Sequence, residues 1–259
     1  MGRLRRYRTA FRRYRHSKGF GIHSPFAFRF VLNVLRERNP YYAYAVLDEL
    51  RHAVMVRTRH HLRHPRIISL KNAKLIFRVV NYFNPRQVLQ IGTSYGVSSV
   101  SILAVSRQIR LVLCEAHLGD YPVVHDVLSA YDGQITQSDN VPDAISRYKE
   151  KLNAAAQNDA SAVADGGRDM FACGAGSPFI LVNNLYDEAE YSAVKSYLAE
   201  VMNGKGVVVM RNLSRSRLMM SLWIECRDNA AYGMTFSNDK VAIIVANPKL
   251  PRQDFSMWF

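Results

Sequence analysis

The chain has 259 residues, 48% of them hydrophobic, and a formal net charge of +14, so it holds one large or two small domains and is not mostly disordered. No apolar run approaches the roughly 20 residues of a membrane span, and the basic N-terminus lacks the apolar core and cleavage site of a secretory signal. Three scattered cysteines, Cys114, Cys173 and Cys226, make neither a metal spacing nor an even disulfide set, and a cytoplasmic protein is the expected reading.

The charge is unevenly placed. Residues 1–66 carry 16 Lys/Arg against 3 Asp/Glu, a net of +13, while the remainder carries 19 against 18. Such a split points to an anionic partner for the N-terminal quarter, nucleic acid or a membrane surface. Positions 3–15 read Arg-Leu-Arg-Arg-Tyr-Arg-Thr-Ala-Phe-Arg-Arg-Tyr-Arg. Leu4, Tyr7, Phe11 and Tyr14 fall at helical spacing, which predicts a basic amphipathic helix. Residues 3–18 are the candidate contact, and an arm docked on its own domain is the alternative.

Ser24-Pro25 is a helix start, with serine as cap and proline at the first helical position. Phe26, Phe30 and Val34 then form an apolar face. Asn39-Pro40 opens a second helix through Tyr44, Leu47, Leu50 and Val54. Arg57 to Arg66, with three histidines, reads as a solvated connector. These helices make a basic segment, 1–66, ahead of an α/β domain, 67–259.

The α/β domain opens with a helix from Leu70 to Phe83, ended by Asn84-Pro85. Next comes the run on which the chain is organised, Gln87-Val88-Leu89-Gln90-Ile91-Gly92-Thr93-Ser94-Tyr95-Gly96-Val97-Ser98. A buried strand, a glycine turn and a helix are the first half of a nucleotide-binding βαβ unit. Gly92 suits a conformation that a Cβ would forbid, and Gly96 would let the chain approach a ligand closely. A second strand, Arg110–Cys114, ends in Glu115. That residue lies 24 positions after Ile91, near the roughly 20 expected of a carboxylate that holds a ribose.

A helix over 123–131, a third strand around 134–137 and a helix over 145–152 follow. Asp139 closes the third strand, either as a ligand contact or as the cap of the helix before Pro142. Residues 154–178 are rich in Ala, Asn, Asp, Ser and Gly and read as a long loop. Phe179–Val182 is the fourth strand, followed by Asn183, Asn184 and Tyr186. A helix over 188–202, a fifth strand over 206–210 ending in Arg211-Asn212, a helix over 218–227 and a hairpin of 234–237 with 241–246 complete the chain. The expected fold is Rossmann-like α/β, a seven-stranded, mostly parallel sheet with an antiparallel last strand, preceded by N-terminal helices.

The run Leu89 to Ser98 resembles the first motif of class I S-adenosylmethionine-dependent methyltransferases. It is most similar to the O-methyltransferase branch, whose loop reads Glu-x-Gly-Thr-Ser-x-Gly-x-Ser. Gly-Phe-Gly-Ile-His-Ser-Pro-Phe at 19–26 and Phe-Ser-Met-Trp-Phe at 255–259 resemble the opening and the end of a bacterial group in that superfamily. The resemblance runs from about Arg15 onward. It implies S-adenosyl-L-methionine as cofactor, held by Gly92, Thr93, Ser94, Tyr95, Gly96, Ser98 and Glu115, with Asp139 bordering the adenine. It implies an acceptor site at Asn183, Tyr186, Arg211 and Asn212.

The pattern breaks on the acceptor side. Metal-dependent members of the resembled family carry carboxylates where this chain has Asn183 and Arg211, and Gln90 replaces the acid of the first motif. Divalent cations need anionic oxygen ligands, so no metal is expected. Tyr186 and His23 are the candidates for a general base. The leading reading is a metal-independent methyltransferase whose small-molecule acceptor the sequence leaves open, with Arg211 favouring an anionic one. The alternatives are a degenerate methyltransferase fold used for binding, and a basic-arm protein at nucleic acid or an anionic membrane.

Overall fold

Ser24 caps the first helix, α1 (Pro25–Phe30), by accepting from the Ala27 N–H, and proline fills its first position. One π-helical turn, Val31–Leu35, continues it. A π turn loosens the carbonyl ladder, and here a buried side chain meets it: Arg78 donates from Nε to the Val34 carbonyl at 2.6 Å and from Nη1 to the Tyr44 hydroxyl at 3.2 Å. The computed structural model describes residues 13–14, 21–59, 67–92, 95–115, 122–160 and 176–259. Of the basic amphipathic helix expected over 3–15, Arg13 and Tyr14 are described and helical. The rest of that helix, the connector beyond Arg59 up to residue 66, and the 161–175 stretch lie outside the described residues.

The second helix, α2 (Ala43–Arg59), starts three residues later than Asn39-Pro40 suggested. Helix α3 (Leu70–Phe83) keeps the expected bounds. Ser69 caps it, Asn84 ends it in the left-handed region at φ 44°, and Ala73, Ile76, Phe77 and Val80 are buried. Then come β1 (Gln87–Ile91), α4 (Val97–Leu103), β2 (Arg110–Cys114), α5 (Pro122–Leu128) with a 3₁₀ turn to Gln134, and β3 (Ile135–Ser138). Helix α6 (Val141–Ala160) is longer than expected at both ends. Asn140, not Asp139, caps it, by accepting from the Asp143 N–H at 2.9 Å. The chain ends with β4 (Phe179–Val182), α7 (Glu188–Met202), β5 (Gly206–Arg211), α8 (Arg217–Asn229), β6 (Met234–Ser237), β7 (Val241–Ala246) and β8 (Gln253–Ser256).

The sheet order is β3-β2-β1-β4-β5-β7-β6-β8. The first five strands in that order are parallel, β7 runs antiparallel to β5, and β6 antiparallel to β7. The sheet thus has one strand more than the seven expected. β8 pairs with β6 in parallel, held by Phe255 stacked 5.2 Å from Phe236. Four residues with one buried side chain give no readable alternation.

Strand alternation divides the core into two layers. Val88, Leu181 and Val209 face α1 to α5, and Leu89, Val182 and Met210 face α6 to α8. Phe30 of α1 sits 4.8 Å from the Phe236 ring, 5.7 Å from Phe83 and 5.5 Å from Tyr82. The N-terminal helices therefore share one core with the sheet. Emptying such a buried aromatic site costs about 3–5 kcal/mol. No helix among the described residues is long and apolar enough to cross a membrane.

β1 connects outward to β2 and β3, and β4 lies on its other flank. The carboxyl ends of β1 and β4 therefore form the topological switch point, where open α/β sheets place their ligands.

Candidate active site

Gly92 follows β1 at φ 70° and Gly96 caps α4 at φ 78°. Both need the left-handed region, which a Cβ disfavours. The space each one leaves is filled by protein. A Cβ on Gly92 would lie 3.3 Å from the backbone N and O of Asn184, the residue two beyond β4. A Cβ on Gly96 would lie 2.6 Å from Cγ1 of Val127 on α5. Gly96 thus lets α5 approach, a contact that the sequence reading did not include. Thr93 and Ser94 lie outside the described residues. Tyr95 is half-buried at φ 55°.

On the α1 to α5 side of the sheet, a row of buried polar side chains crosses the ends of the central strands. Gln90 is fully buried and donates from Nε2 to the Gly92 carbonyl at 3.2 Å and to Ser98 Oγ at 3.1 Å. Asn183 is 1% exposed. Its Nδ2 donates to the same carbonyl at 2.6 Å and to the same hydroxyl at 3.2 Å. Its Oδ1 accepts from Arg211 Nη1 at 2.6 Å. Asn212 Nδ2 donates to the Asn183 carbonyl at 2.9 Å. The row runs from the glycine turn to the end of β5 with neutral amides throughout and one cation at its end. Ser98 Oγ accepts from two internal amides. Two atoms of the row have no partner, Gln90 Oε1 and Arg211 Nε.

Arg211 is 5% exposed. Burial, and after it the charge of Arg215, hold its guanidinium down at about 10. Asp187 caps α7 through the Glu190 N–H, and Arg211 turns to Asn183.

Glu115 stands at the end of β2, its N–H 3.4 Å from the Ser138 carbonyl. It is mostly buried, and Oε1 has no partner. Burial pushes its carboxyl up to about 7. Asp139, after β3 on the same edge, is exposed. Tyr186 is 50% exposed, and its N–H donates to Glu190 Oε2 at 2.8 Å. His23 is exposed before α1, on an element that packs toward β6. Among the described residues no three His, Cys, Asp or Glu side chains cluster as a metal site.

The fold thus brings Gly92, Ser98, Asn183, Arg211 and Asn212 into one hydrogen-bonded group, with Glu115 on the same edge outside that group. The role of Gln90 in the row is new. Its signal was present, a polar residue inside the buried strand Val88-Leu89-Gln90-Ile91. Asn184, whose backbone bounds the glycine turn, left no signal, because nothing in its side chain carries that contact.

No family model matches the chain, and no curated protein matches it in sequence. Solved structures match in fold. A methyltransferase of Podospora anserina, PaMTH1, crystallised with S-adenosylhomocysteine, is 12% identical over 88% of this chain and 98% of its own, with a TM-score of 0.52. A proposed caffeoyl-CoA O-methyltransferase of Staphylococcus aureus is 14% identical over 85% and 98%, with a TM-score of 0.50. Cofactor-bound Rv0187 from MTB is 14% identical over 81% and 98%, also at 0.50. The chain has the Rossmann-like fold of these proteins.

Proposed function

We propose that the protein is an S-adenosylmethionine-dependent methyltransferase whose acceptor is a small molecule. The observation that carries this reading is Glu115. A buried carboxylate oxygen without a partner costs the fold free energy, and a ribose diol offers two donors to satisfy it. It stands beside a glycine turn at the topological switch point, in a fold shared with a methyltransferase crystallised with S-adenosylhomocysteine and with cofactor-bound Rv0187.

In this reading Glu115 holds the ribose, the backbone around Gly92 through Tyr95 lines the cofactor, and Asp139 borders the adenine. Gln90 and Asn183 act one step back. Both clamp the Gly92 carbonyl, which fixes the turn before a ligand arrives and reduces the ordering cost of binding. When bound, S-adenosylmethionine would supply a sulfonium methyl, which an acceptor lone pair attacks in line while the C–S bond breaks and its electron pair goes to the departing sulfur. The chain's part is positioning, which supplies much of the rate in such a transfer. The activity is proposed to be metal-independent, because an amide and a guanidinium stand at the ends of β4 and β5, where a divalent cation would need anionic oxygen.

Titration calorimetry with S-adenosylmethionine and S-adenosylhomocysteine, each in EDTA and in magnesium, tests both statements. Saturable binding of both compounds, unchanged by EDTA, is expected. Absence of binding to either compound would end the methyltransferase reading. Binding or turnover that EDTA abolishes and magnesium restores would end the metal-independent one.

A further inference from the structure

We propose that Arg211 is the anion receptor of the acceptor site, so that the molecule methylated carries a carboxylate or phosphate group. The proposal rests on the methyltransferase reading for the word acceptor. It rests on the structure for the word anion.

The described chain buries two arginines, and they are handled differently. Arg78 is 9% exposed, lies between α1 and α2, and is held by the Val34 carbonyl and the Tyr44 hydroxyl. Its Nε is satisfied by a carbonyl next to a π turn, so its role is to complete the helical layer. Arg211 is more deeply buried, at 5%. Its Nη1 meets a neutral amide oxygen, and its Nε has no partner among the described residues. The charge acting on it is the like charge of Arg215, four residues on.

A buried cation without a counter-ion is destabilising by several kcal/mol. Nothing in the packing of β5 asks for one. Its neighbours Val207, Val208, Val209 and Met210 are apolar, and the preceding residue on the same side, Val209, sits in the core. An arginine in that register is explained by a ligand that completes its charge and its unmade hydrogen bond. The planar guanidinium suits the two oxygens of a carboxylate or phosphate better than any neutral group.

The location agrees. Arg211 ends β5 at the carboxyl edge and touches Asn183, which in turn holds the Gly92 carbonyl. Anion binding at Arg211 is therefore one amide away from the cofactor turn. Arg215 extends the positive field on the same loop, while Asp187 and Glu190 are engaged in the cap of α7 and the Tyr186 N–H.

The test uses the full chain at constant ionic strength, with thermal melting read against inorganic phosphate, benzoate and, as a neutral control, benzyl alcohol. Each is added with and without S-adenosylhomocysteine. The wild type should be stabilised saturably by phosphate or benzoate and not by benzyl alcohol. Whichever of the two anions acts at lower concentration identifies the headgroup. Arg211→Met should weaken the anion response by at least about tenfold, the scale of one charge-assisted pair, and should bind S-adenosylhomocysteine within about twofold of wild type. Arg211→Lys should keep part of the response, and serves as the reading variant where Arg211→Met fails to fold. A response equal in wild type and Arg211→Met, or none in wild type, overturns the proposal. Loss of S-adenosylhomocysteine binding by the wild type instead ends the methyltransferase reading and leaves the anion response to judge Arg211 alone.

Discussion

The two ends of the sheet's carboxyl edge bury opposite charges and treat them alike. At the ends of β1 and β2, Glu115 is a mostly buried acid with an unpartnered oxygen. At the end of β5, Arg211 is a buried base with an unpartnered nitrogen. The two do not neutralise each other. Burial alone raises Glu115, and burial with Arg215 lowers Arg211. Between them lie the amides of Gln90 and Asn183, which carry hydrogen bonds but no charge. A fold selected only for stability would pair these groups or replace them with apolar ones. Keeping them apart leaves one end suited to donors, such as a diol, and the other to an anion.

The largest effect is expected at Gly96, where the glycine end of this edge meets α5. Gly96→Val places a Cβ 2.6 Å from the position of Val127 Cγ1, at φ 78°. Overpacking costs about 1–3 kcal/mol, and the left-handed backbone adds roughly 1–2 kcal/mol for a residue with a Cβ. Melting should show a fold weakened by their sum, with cofactor binding lost as a consequence. Gly96→Ala with Val127→Ala should recover the packing part and leave the backbone part. A Gly96→Val protein that melts like wild type but binds no cofactor would restore the view that this glycine makes room for the ligand.

Next in size is Glu115. Glu115→Gln keeps the shape and removes the charge, and should weaken S-adenosylhomocysteine binding by about 1.5–3 kcal/mol, the scale of hydrogen bonds to a charged group. The ionised carboxylate is the better acceptor, and in the free protein it titrates near about 7. Affinity should therefore fall as pH drops below that value, by up to about tenfold per unit, and Glu115→Gln should show a flat profile. Stability of the free protein runs the other way. The folded carboxyl lies above its ordinary value of 4.5, so the folded state holds the extra proton between the two values. This group's contribution is full below pH 4.5 and is lost as pH rises through about 7. Calorimetric affinities and melts across pH 5 to 9 read both slopes, and parallel slopes in wild type and Glu115→Gln would remove Glu115 from the site.

The sequence disclosed the two ends of this edge unequally, for physical reasons. Helix α3 and the hairpin strands β6 and β7 kept their predicted bounds because period and caps agree: Ser69 begins α3 and Asn84 ends it. The glycine turn and Glu115 were legible because a strand, two glycines and a spaced acid are local in sequence. The polar row was not. Asn183, Gln90 and Ser98 are separated by up to 93 positions, and only the parallel pairing of β1 with β4 brings them together. The contact of Gly96 with α5 was hidden for the same reason, since Val127 is 31 residues away and no local pattern announces it. β8 was missed because its anchors, Phe255 on Phe236 and Asp254 on Thr235, are tertiary contacts.

The smallest effect concerns the basic arm, whose Arg13 reaches the anion end of the edge and not the acid end. Arg13 donates from Nη1 and Nη2 to both oxygens of Asp239 at 2.5 and 2.7 Å, and from Nε to Ser256 Oγ at 2.8 Å. It lines a groove of about 730 Å³ with Asp228, Asp254, Trp223 and Leu213, the last two residues beyond Arg211. A bidentate pair this open to solvent stabilises by about 0.2–1 kcal/mol, so Asp239→Asn should barely move the melting temperature. Residues 1–18 hold eight Lys/Arg and no acid, and deleting them should remove most salt-dependent binding to phosphatidylserine vesicles or RNA. The groove holds Arg13 back from any such surface. Asp239→Asn should therefore tighten vesicle or RNA binding, by no more than about fivefold if the pair is worth under about 1 kcal/mol. The anion response at Arg211 should stay unchanged in both variants. Binding that survives the deletion with the same salt slope would move the anionic contact off the arm. Weaker binding in Asp239→Asn would mean that the docked arm, rather than the released one, is the form that meets the surface.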